Sequence, residues 1–199
     1  MAQQGISKTF DIGDGRQVTL ETGKLATLAN GAVMLRMGDC MLLATVVSAK
    51  EPREGQDFFP LSVDYQEKFA AGGRIPGSFF KREGRISDYE VLISRMVDRC
   101  LRPLFPEDYR NDTQVIITLM SIDKTVVPDA LVGLAASAAL TITDIPFAGP
   151  ISEVRVCKIG DEFVINPPKD QIEQATLDII IGGSLTSIGM VEGEAKECS

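Results

Sequence analysis

The chain has 199 residues, with 20 lysines and arginines, 28 aspartates and glutamates, and no histidine. An apolar fraction of 44% and a charged fraction of 24% are ordinary for a globular protein and exclude wholesale disorder. The absence of histidine excludes Ser-His and Cys-His catalytic dyads and any metal site that uses histidine.

The first 65 residues predict β-strands joined by tight turns. Glycine and aspartate at 13–15 and 38–39 are typical of hairpin turns. The continuously apolar run 41–47 predicts a central strand that is covered on both faces. Pro60 weakens the last of these strands because it lacks the amide hydrogen that a ladder needs. The predicted strands are 10–12, 17–22, 32–37, 41–47 and 58–65.

Helices are predicted beyond a glycine-rich loop, 70–78, which is not expected to form a regular element. Ser87 and Glu90 have the spacing of a capping box, and Pro103 ends this helix after Leu101. A second helix, 130–141, follows Asp129 as its cap and is apolar on every side, which indicates burial. Further strands are expected over 113–120, 151–158, 162–165 and 177–182, with a weak helical turn over 170–175.

The order of these elements predicts an α+β fold of mixed α/β layers. No linker or repeat interrupts the chain, so we expect one domain over residues 1–199, and we expect the natural protein to continue beyond it. The four cysteines are widely spaced, which argues against a zinc site or a disulfide framework. They are Cys40, Cys100, Cys157 and Cys198, of which we expect the first three to be buried. No signal peptide or membrane-spanning run is visible, so we expect a cytoplasmic protein.

One segment of this acidic chain is basic. The chain has a formal net charge of −8, but residues 68–102 contain eight basic and four acidic residues, a local charge of +4. On a helical wheel, Arg95, Arg99 and Arg102 form one stripe opposite the apolar face. This stripe is either a solvated face that pairs with Asp88 and Asp98, or a row of arginines that binds phosphates.

The loop before this helix combines aromatic and cationic residues. Phe79 and Phe80 directly precede Lys81 and Arg82. This combination suits single-stranded RNA, because rings stack on bases while cations pair with phosphates. The alternative is a loop that is held in the core by one of the rings. The predicted RNA-binding residues are Phe79, Phe80, Lys81, Arg82, Arg85, Arg95, Arg99 and Arg102.

The sequence shows no complete catalytic site. The usual glycine-rich nucleotide motifs are absent, and no close pair of acidic residues follows an apolar strand. Residues 182–184 indicate a turn rather than an anion-binding nest. Four aspartates are interpreted as isolated caps or turn residues: Asp123, Asp129, Asp144 and Asp178.

Several long motifs resemble those of the bacterial polynucleotide phosphorylase family. The likeness extends over nearly all 199 residues and is to the first of the two ribonuclease-PH-like halves of that family. Lys81 departs from the family pattern, which has arginine there, and so lacks the planar guanidinium that stacks and pairs bidentately. The motifs are 21–26, 30–33, 59–65, 68–77, 102–106, 128–140 and 145–151.

The resemblance implies a ribonuclease-PH-like β-α-β-α domain within a cytoplasmic, homotrimeric nucleotidyltransferase. Such an enzyme is a 3′-to-5′ exoribonuclease that degrades mRNA by phosphorolysis: inorganic phosphate attacks the terminal phosphodiester and releases nucleoside diphosphates. Magnesium is expected for the complete enzyme, and no association with membranes is expected. The first half contributes the RNA-gripping loop at the aperture of the ring.

The resemblance also implies that the serines that bind phosphate, the catalytic aspartates and the metal site belong to the second half of the chain. At the corresponding positions this sequence has residues 127–131 and 181–189, without those groups. We therefore expect no catalytic residue, no metal and no cofactor here, and no activity of this segment by itself. Two alternatives remain open: a non-catalytic scaffold subunit of an exosome-like ring, and a stand-alone module that binds single-stranded RNA. The coding sequence beyond Ser199 discriminates among the three.

Overall fold

The computed structural model describes residues 5–77, 83 and 85–196, and within them ten strands form two sheets that are joined by two long helices. These elements confirm the predicted α+β class. The strands are β1 (Ile6–Asp11), β2 (Gln17–Thr22), β3 (Gly31–Met37), β4 (Cys40–Ser48), β5 (Leu61–Glu67), β6 (Thr113–Ser121), β7 (Ser152–Ile159), β8 (Glu162–Ile165), β9 (Leu177–Gly183) and β10 (Ile188–Ala195). The helices are α1 (Asp88–Leu101), α2 (Asp129–Thr141) and the single turn α3 (Lys169–Ile172).

The larger sheet has six strands in the order β1-β2-β3-β4-β6-β5. Every pair is antiparallel except β5 and β6, whose connection contains α1 and therefore places this helix against β5. The apolar strand β4 is central, as predicted. Its two faces differ, however, because Leu42, Ala44 and Val46 are fully buried while Met41 and Leu43 are only half-buried. The prediction that both faces of β4 are fully covered was therefore wrong.

Strand β5 begins three residues later than predicted, and Pro60 is the reason. Pro60 lacks an amide hydrogen, and only its carbonyl meets the neighbouring strand, accepting a 3.1 Å hydrogen bond from the amide of Thr113. Phe59 instead packs in an aromatic cluster, with ring centroids 4.6 Å from Phe105 and 5.4 Å from Tyr109. The strand thus starts at the first residue after Pro60, from which every residue has an amide hydrogen to donate.

The smaller sheet has four antiparallel strands in the order β10-β9-β7-β8. Helix α2 lies between the two sheets and contacts β3, β4 and β7, so the predicted burial of this helix is confirmed. Its close approach to β3 depends on Gly31, where a Cβ atom would lie 2.2 Å from the carbonyl oxygen of Ala139. Asp129 is not the cap of α2: the N-cap is Pro128, which supplies no side-chain hydrogen bond.

Helix α1 connects the two sheets, since it contacts β5 in one and β9 and β10 in the other. The glycine-rich loop before it is more regular than predicted, because a 3₁₀ turn forms over Phe69–Gly72 and ends at Gly73 in the left-handed region (φ 66°). The thiols of Cys40, Cys100 and Cys157 are buried as predicted, while Cys198 lies outside the described residues. No helix in the described part of the chain is long and apolar enough to cross a bilayer.

Candidate nucleic-acid interface

The first turn of α1 is fixed by the capping box that the sequence predicted. The Oγ of Ser87 accepts a hydrogen bond of 3.2 Å from the amide of Glu90, whose carboxylate accepts one of 2.7 Å from the amide of Ser87. Burial opposes ionisation of Glu90, but these hydrogen bonds and one from the amide of Glu67 outweigh it and lower the pKa of this carboxyl. The capping box therefore fixes the residue at which α1 begins. It also fixes which side of the helix carries the arginines.

A row of polar side chains on α1 satisfies the outer edge of β5. The Oε1 of Glu90 accepts a hydrogen bond of 2.7 Å from the amide of Glu67, and the Oγ of Ser94 accepts one of 2.9 Å from the amide of Tyr65. Residues four apart on a helix share one face, so Asp98 and Arg102 continue this row. The helix thus takes the place of a neighbouring strand at this edge of the sheet.

The side chain of Arg102 makes its contacts within this row and with the chain at the start of β5. Its guanidinium donates to both carboxylate oxygens of Asp98, at 2.7 and 2.5 Å. It also donates to the carbonyl oxygens of Phe59 at 3.1 Å and Leu61 at 3.2 Å, and lies 5.8 Å from the centroid of the Phe59 ring. Of the two readings of the stripe, the intramolecular pairing with Asp98 is the one observed at this residue.

Arg95 and Arg99 are exposed on the face of α1 that points away from the core. Arg99 pairs with Glu192 of β10 at 2.6 Å, and both side chains remain about half exposed. Arg95 has no hydrogen-bond or ion-pair partner among the described residues. The two guanidinium groups line a groove of about 500 Å³, together with Ser62 and Asp64 of β5.

The remaining residues of the predicted interface precede α1. Arg85 is exposed and makes no polar side-chain contact within the described part of the chain. Phe79, Phe80, Lys81 and Arg82 lie outside the described residues. Their assignment to RNA binding stays a prediction.

The structure also brings together a charged cluster that the sequence did not reveal. Asp129 and Asp178, which were interpreted as isolated, both pair with Arg155 of β7, Asp178 at 2.8 Å. Tyr89 of α1 donates a hydrogen bond of 3.4 Å to Asp129. No local pattern could have indicated this cluster, because its members come from four elements that are distant in sequence: α1, α2, β7 and β9.

The cluster is internally neutralised and partly buried. Burial alone would lower the pKa of Arg155, but the carboxylates of Asp129 and Asp178 outweigh it and raise this pKa. A cavity of about 450 Å³ adjoins the cluster and is also lined by Glu67, Asp123, Lys124, Lys169 and apolar side chains. Two carboxylates already occupy the guanidinium, so an anionic ligand would meet repulsion here. In the described residues no group of three or more metal-ligating side chains occurs.

The turn between β9 and β10 has no anion-binding geometry. The Oγ of Ser184 accepts hydrogen bonds from the amides of Thr186 at 3.3 Å and Ser187 at 3.2 Å. The amide of Ser184 donates to the carbonyl of Ser187 at 2.9 Å. These amides are satisfied within the turn, which confirms that residues 182–184 lead into a turn rather than a nest.

Known structures share this arrangement of sheets and helices. Rrp46 from rice (Oryza sativa) superposes with a TM-score of 0.67 and 14% sequence identity, over all of this chain and 83% of that one. An exosome from Archaeoglobus fulgidus, solved with RNA bound to its active site, superposes with a TM-score of 0.63 and 14% identity, over 99% of this chain and 79% of that one. At this identity the likeness concerns the fold, which is of the ribonuclease PH type, as the sequence resemblance predicted.

Sequence comparison identifies the family to which the chain belongs. Residues 14–146 match the model of the 3′ exoribonuclease family, domain 1, and residues 149–198 match that of domain 2. The chain belongs to the 3′ exoribonuclease family. Proteins named polyribonucleotide nucleotidyltransferase are 59% identical to it in Cytophaga hutchinsonii and 61% identical in Bacteroides fragilis, each over 194 residues and 98% of this chain. These matches confirm the resemblance to polynucleotide phosphorylases. The chain spans 27% of the length of either relative.

Proposed function

We propose that this chain is the N-terminal, RNA-binding and ring-forming half of a 3′-to-5′ phosphorolytic exoribonuclease that degrades mRNA to nucleoside diphosphates. The observation that carries the proposal is the 59–61% identity, over 98% of this chain, to proteins named polyribonucleotide nucleotidyltransferase. Because the chain spans 27% of their length, we assign the chemical step to a second ribonuclease-PH-like half of the same polypeptide.

RNA binding by this half relies on exposed arginines that are available to phosphates. Arg95 and Arg99 present their guanidinium groups along one groove, and the solvent-exposed pair of Arg99 with Glu192 costs little to open. We also assign RNA binding to Arg85 and to Phe79, Phe80, Lys81 and Arg82. Contacts of this kind bind the backbone of a single strand without reading its sequence.

Magnesium and inorganic phosphate are assigned to the second half. The residues near the first turn of α2 do not fit either one, because the carboxylates of Asp129 and Asp178 are both engaged by Arg155. No step of the reaction is therefore attributed to this cluster. The described part of the chain contributes surfaces for RNA binding and for assembly. We assign the general acid, the general base and the metal ligands to the second half.

The assembly and location follow from the same proposal. We assign the complete protein to a homotrimeric ring in the cytoplasm, without association with membranes. Three RNA-binding surfaces around one aperture raise the effective concentration of a bound strand, so they favour repeated cycles on the same molecule. Light scattering of the complete protein, with a mass of three chains expected, tests this part separately.

Activity of the complete protein and of this chain tests the proposal directly. The complete protein should release nucleoside diphosphates from single-stranded RNA only when inorganic phosphate is present. The chain of residues 1–199, prepared from a host that lacks its own enzyme, should release none, because among the described residues no cluster of metal-ligating side chains occurs and Arg155 engages Asp129 and Asp178. A complete protein that is inert with phosphate, or an active isolated chain, would contradict the proposal.

A further inference from the structure

We propose that a second groove, at the carboxyl end of β5, binds another segment of the same single-stranded RNA. Lys68, Arg74 and Lys124 would pair with its phosphates, and Phe69 would stack on a base. This inference rests on the proposed function, since it assumes that the bound polymer is RNA. It adds a binding site that lies apart from the arginines of α1.

The groove is large enough for a segment of a nucleic acid strand. Its volume is about 560 Å³, and its walls come from the 3₁₀ turn after β5 and from the segment that follows β6. It is adjacent to the cavity beside Arg155, because Glu67, Ile122 and Lys124 line both. The proposed RNA segment lies in this groove and not in that cavity, where the carboxylates of Asp129 and Asp178 would repel its phosphates.

Backbone hydrogen bonds fix the main chain of the 3₁₀ turn, which forms the first wall of the groove. The amide of Arg74 donates to the carbonyl of Phe69 at 3.0 Å, and the amide of Ile122 donates to the carbonyl of Ala71 at 3.2 Å. The turn that carries Lys68 and Phe69 is thereby closed on itself and attached to the end of β6. A fixed turn loses little conformational entropy when a ligand binds.

The second wall is fixed by a neighbouring aspartate. The carboxylate of Asp123 accepts hydrogen bonds from the amides of Thr125 at 2.7 Å and Asp39 at 2.9 Å. These bonds lower the pKa of Asp123 well below its usual range, so the carboxylate stays ionised and the turn stays formed. Lys124 lies within this turn and lines the groove.

The charges of the groove favour an anionic polymer. Its cations are Lys68, Arg74 and Lys124, and the acids near it are Glu67 and Glu83, so the positive charges exceed the negative ones by one. Glu83 pairs with Lys68 at 3.3 Å, and Glu67 accepts a hydrogen bond of 2.8 Å from the hydroxyl of Tyr65. Arg74 and Lys124 have no side-chain partner in the described ranges. Their charges are available to phosphate groups.

Exposed apolar side chains in the groove suit bases. Phe69 is 46% exposed and Ile122 is 49% exposed, although neither lies at a chain end. A ring beside several cations is the arrangement that binds single strands, since each base has a face to stack while the backbone pairs with the cations. An acidic peptide would use the cations but would leave this stacking surface unused.

The position of the groove fits one strand that also contacts α1. Asp64 lines the groove beside Arg95 and Arg99, and Glu67 lines the second groove. The two residues are three positions apart on β5, or about 10 Å at about 3.3 Å per residue. Their side chains point to opposite faces of the sheet, so an RNA strand that fills both grooves needs several nucleotides to pass from one side to the other, whereas a very short one reaches only one groove.

The test compares two double variants of the complete protein in binding to a long, fluorescently labelled single-stranded RNA at several salt concentrations. Arg74→Ala with Lys124→Ala should weaken binding about tenfold at low salt. It should also reduce the log-log salt slope by about 1.4, since each phosphate contact on a single strand contributes about 0.7. The matched control is Lys8→Ala with Lys50→Ala, which removes two exposed cations elsewhere and should leave both quantities unchanged.

A third variant separates stacking from charge. Phe69→Leu keeps an apolar side chain and should weaken binding about tenfold without changing the salt slope. Equal affinity and slope for the Arg74/Lys124 variant and the wild type, with folding confirmed by thermal unfolding, would overturn the second site. Displacement of the RNA from the wild type by a poly-glutamate peptide at lower concentration than by unlabelled RNA would also overturn it, in favour of an acidic protein partner. A wild type that binds no RNA would instead refute the proposed function itself.

Discussion

At the scale of single residues, Glu153 is a buried carboxyl group whose hydrogen bonds are incomplete. Its side chain is 2% exposed, and its Oε1 has no hydrogen-bond partner among the described residues. Gly133 and Gly182 leave the space that it fills, because a Cβ atom at Gly133 would lie 2.2 Å from its carboxylate. Burial raises the pKa of Glu153 to about 7, although hydrogen bonds from Cys100 and the backbone of Gly133 oppose this.

This raised pKa makes the free energy of unfolding depend on pH. Between the usual value of 4.5 and about 7, folded Glu153 holds a proton that the unfolded chain has released. Stability therefore falls as the pH rises through this range and stays low above it. Glu153→Gln should remove the dependence and should stabilise the protein by roughly 1–3 kcal/mol at pH 8, with little difference near pH 4.

Urea unfolding at several pH values measures this effect, and Glu162→Gln on the exposed strand β8 is the matched control. The control should follow the wild type at every pH. A Glu153→Gln variant that is equally destabilised at pH 4 and pH 8 would mean that the carboxylate is stabilised by its surroundings.

Glu90 has the opposite character, since its carboxylate has a partner at each oxygen. It binds the amide of Ser87 through one oxygen and the amide of Glu67 through the other. Glu90→Ala should lower the free energy of unfolding by about 1–3 kcal/mol at neutral pH, because a helix cap and an edge contact are lost together.

The pH dependence of this loss follows from the lowered pKa of Glu90. The stabilisation is present above the usual pKa of 4.5 and disappears as the pH falls through the lower folded value. The difference between wild type and Glu90→Ala should thus shrink in acid. The exposed Glu107→Ala is the control in chemical unfolding, and an effect of Glu90→Ala no larger than that of the control would disprove the double role.

At the scale of elements, the arginines of α1 divide into two groups that mutation can distinguish. Arg95→Ala with Arg99→Ala should weaken RNA binding and reduce its salt slope by about 1.4, while stability changes by less than about 1 kcal/mol. Arg102→Ala should instead cost about 1–2 kcal/mol of stability, because the carbonyls of Phe59 and Leu61 and the carboxylate of Asp98 lose their donor. RNA anisotropy and urea unfolding on the same three proteins measure both effects, and the reverse pattern would contradict this division.

The loop before α1 is tested in the same way. Phe79→Ala with Phe80→Ala should leave stability within about 1 kcal/mol if the rings face RNA, but should cost more than about 3 kcal/mol if they fill the core. In the complete protein, the double variant should bind long strands more weakly and should process a dinucleotide-sized substrate almost normally. Unchanged RNA affinity together with a collapsed melting temperature would show that the rings are structural.

The elements themselves were largely predictable because their signals are local. The capping box at Ser87 and Glu90, the hairpin turns and the buried helix α2 each depend on residues that are adjacent in sequence. Pro60, which delays the start of β5, was visible in the sequence, but the aromatic cluster that holds Phe59 was not, because it is formed with residues beyond α1. Similarly, the pairing of Arg102 with Asp98 was visible at a spacing of four, but its contacts with the carbonyls of β5 were not.

At the scale of the whole molecule, the distribution of charge complements the placement of the interface. The formal net charge is −8, whereas residues 68–102 carry +4, so the rest of the chain carries −12. An acidic body repels RNA except where the basic segment lies, so the field should orient a strand toward α1 and the second groove as it approaches. The charged cluster of Asp129, Arg155 and Asp178 could not be predicted from the sequence, because these residues meet only in the folded protein.

The side-chain row of Glu90, Ser94, Asp98 and Arg102 couples the local opening of β5 to that of α1. The amides of Tyr65 and Glu67 donate to α1 and not to another strand, so their protection against hydrogen exchange depends on the docking of this helix. We expect both amides to exchange with the opening free energy of α1, below that of the amides in the central strand β4. Bound RNA that holds α1 in place should slow the exchange at Tyr65 and Glu67 although these amides make no contact with the ligand, and native-state exchange with and without RNA would measure it.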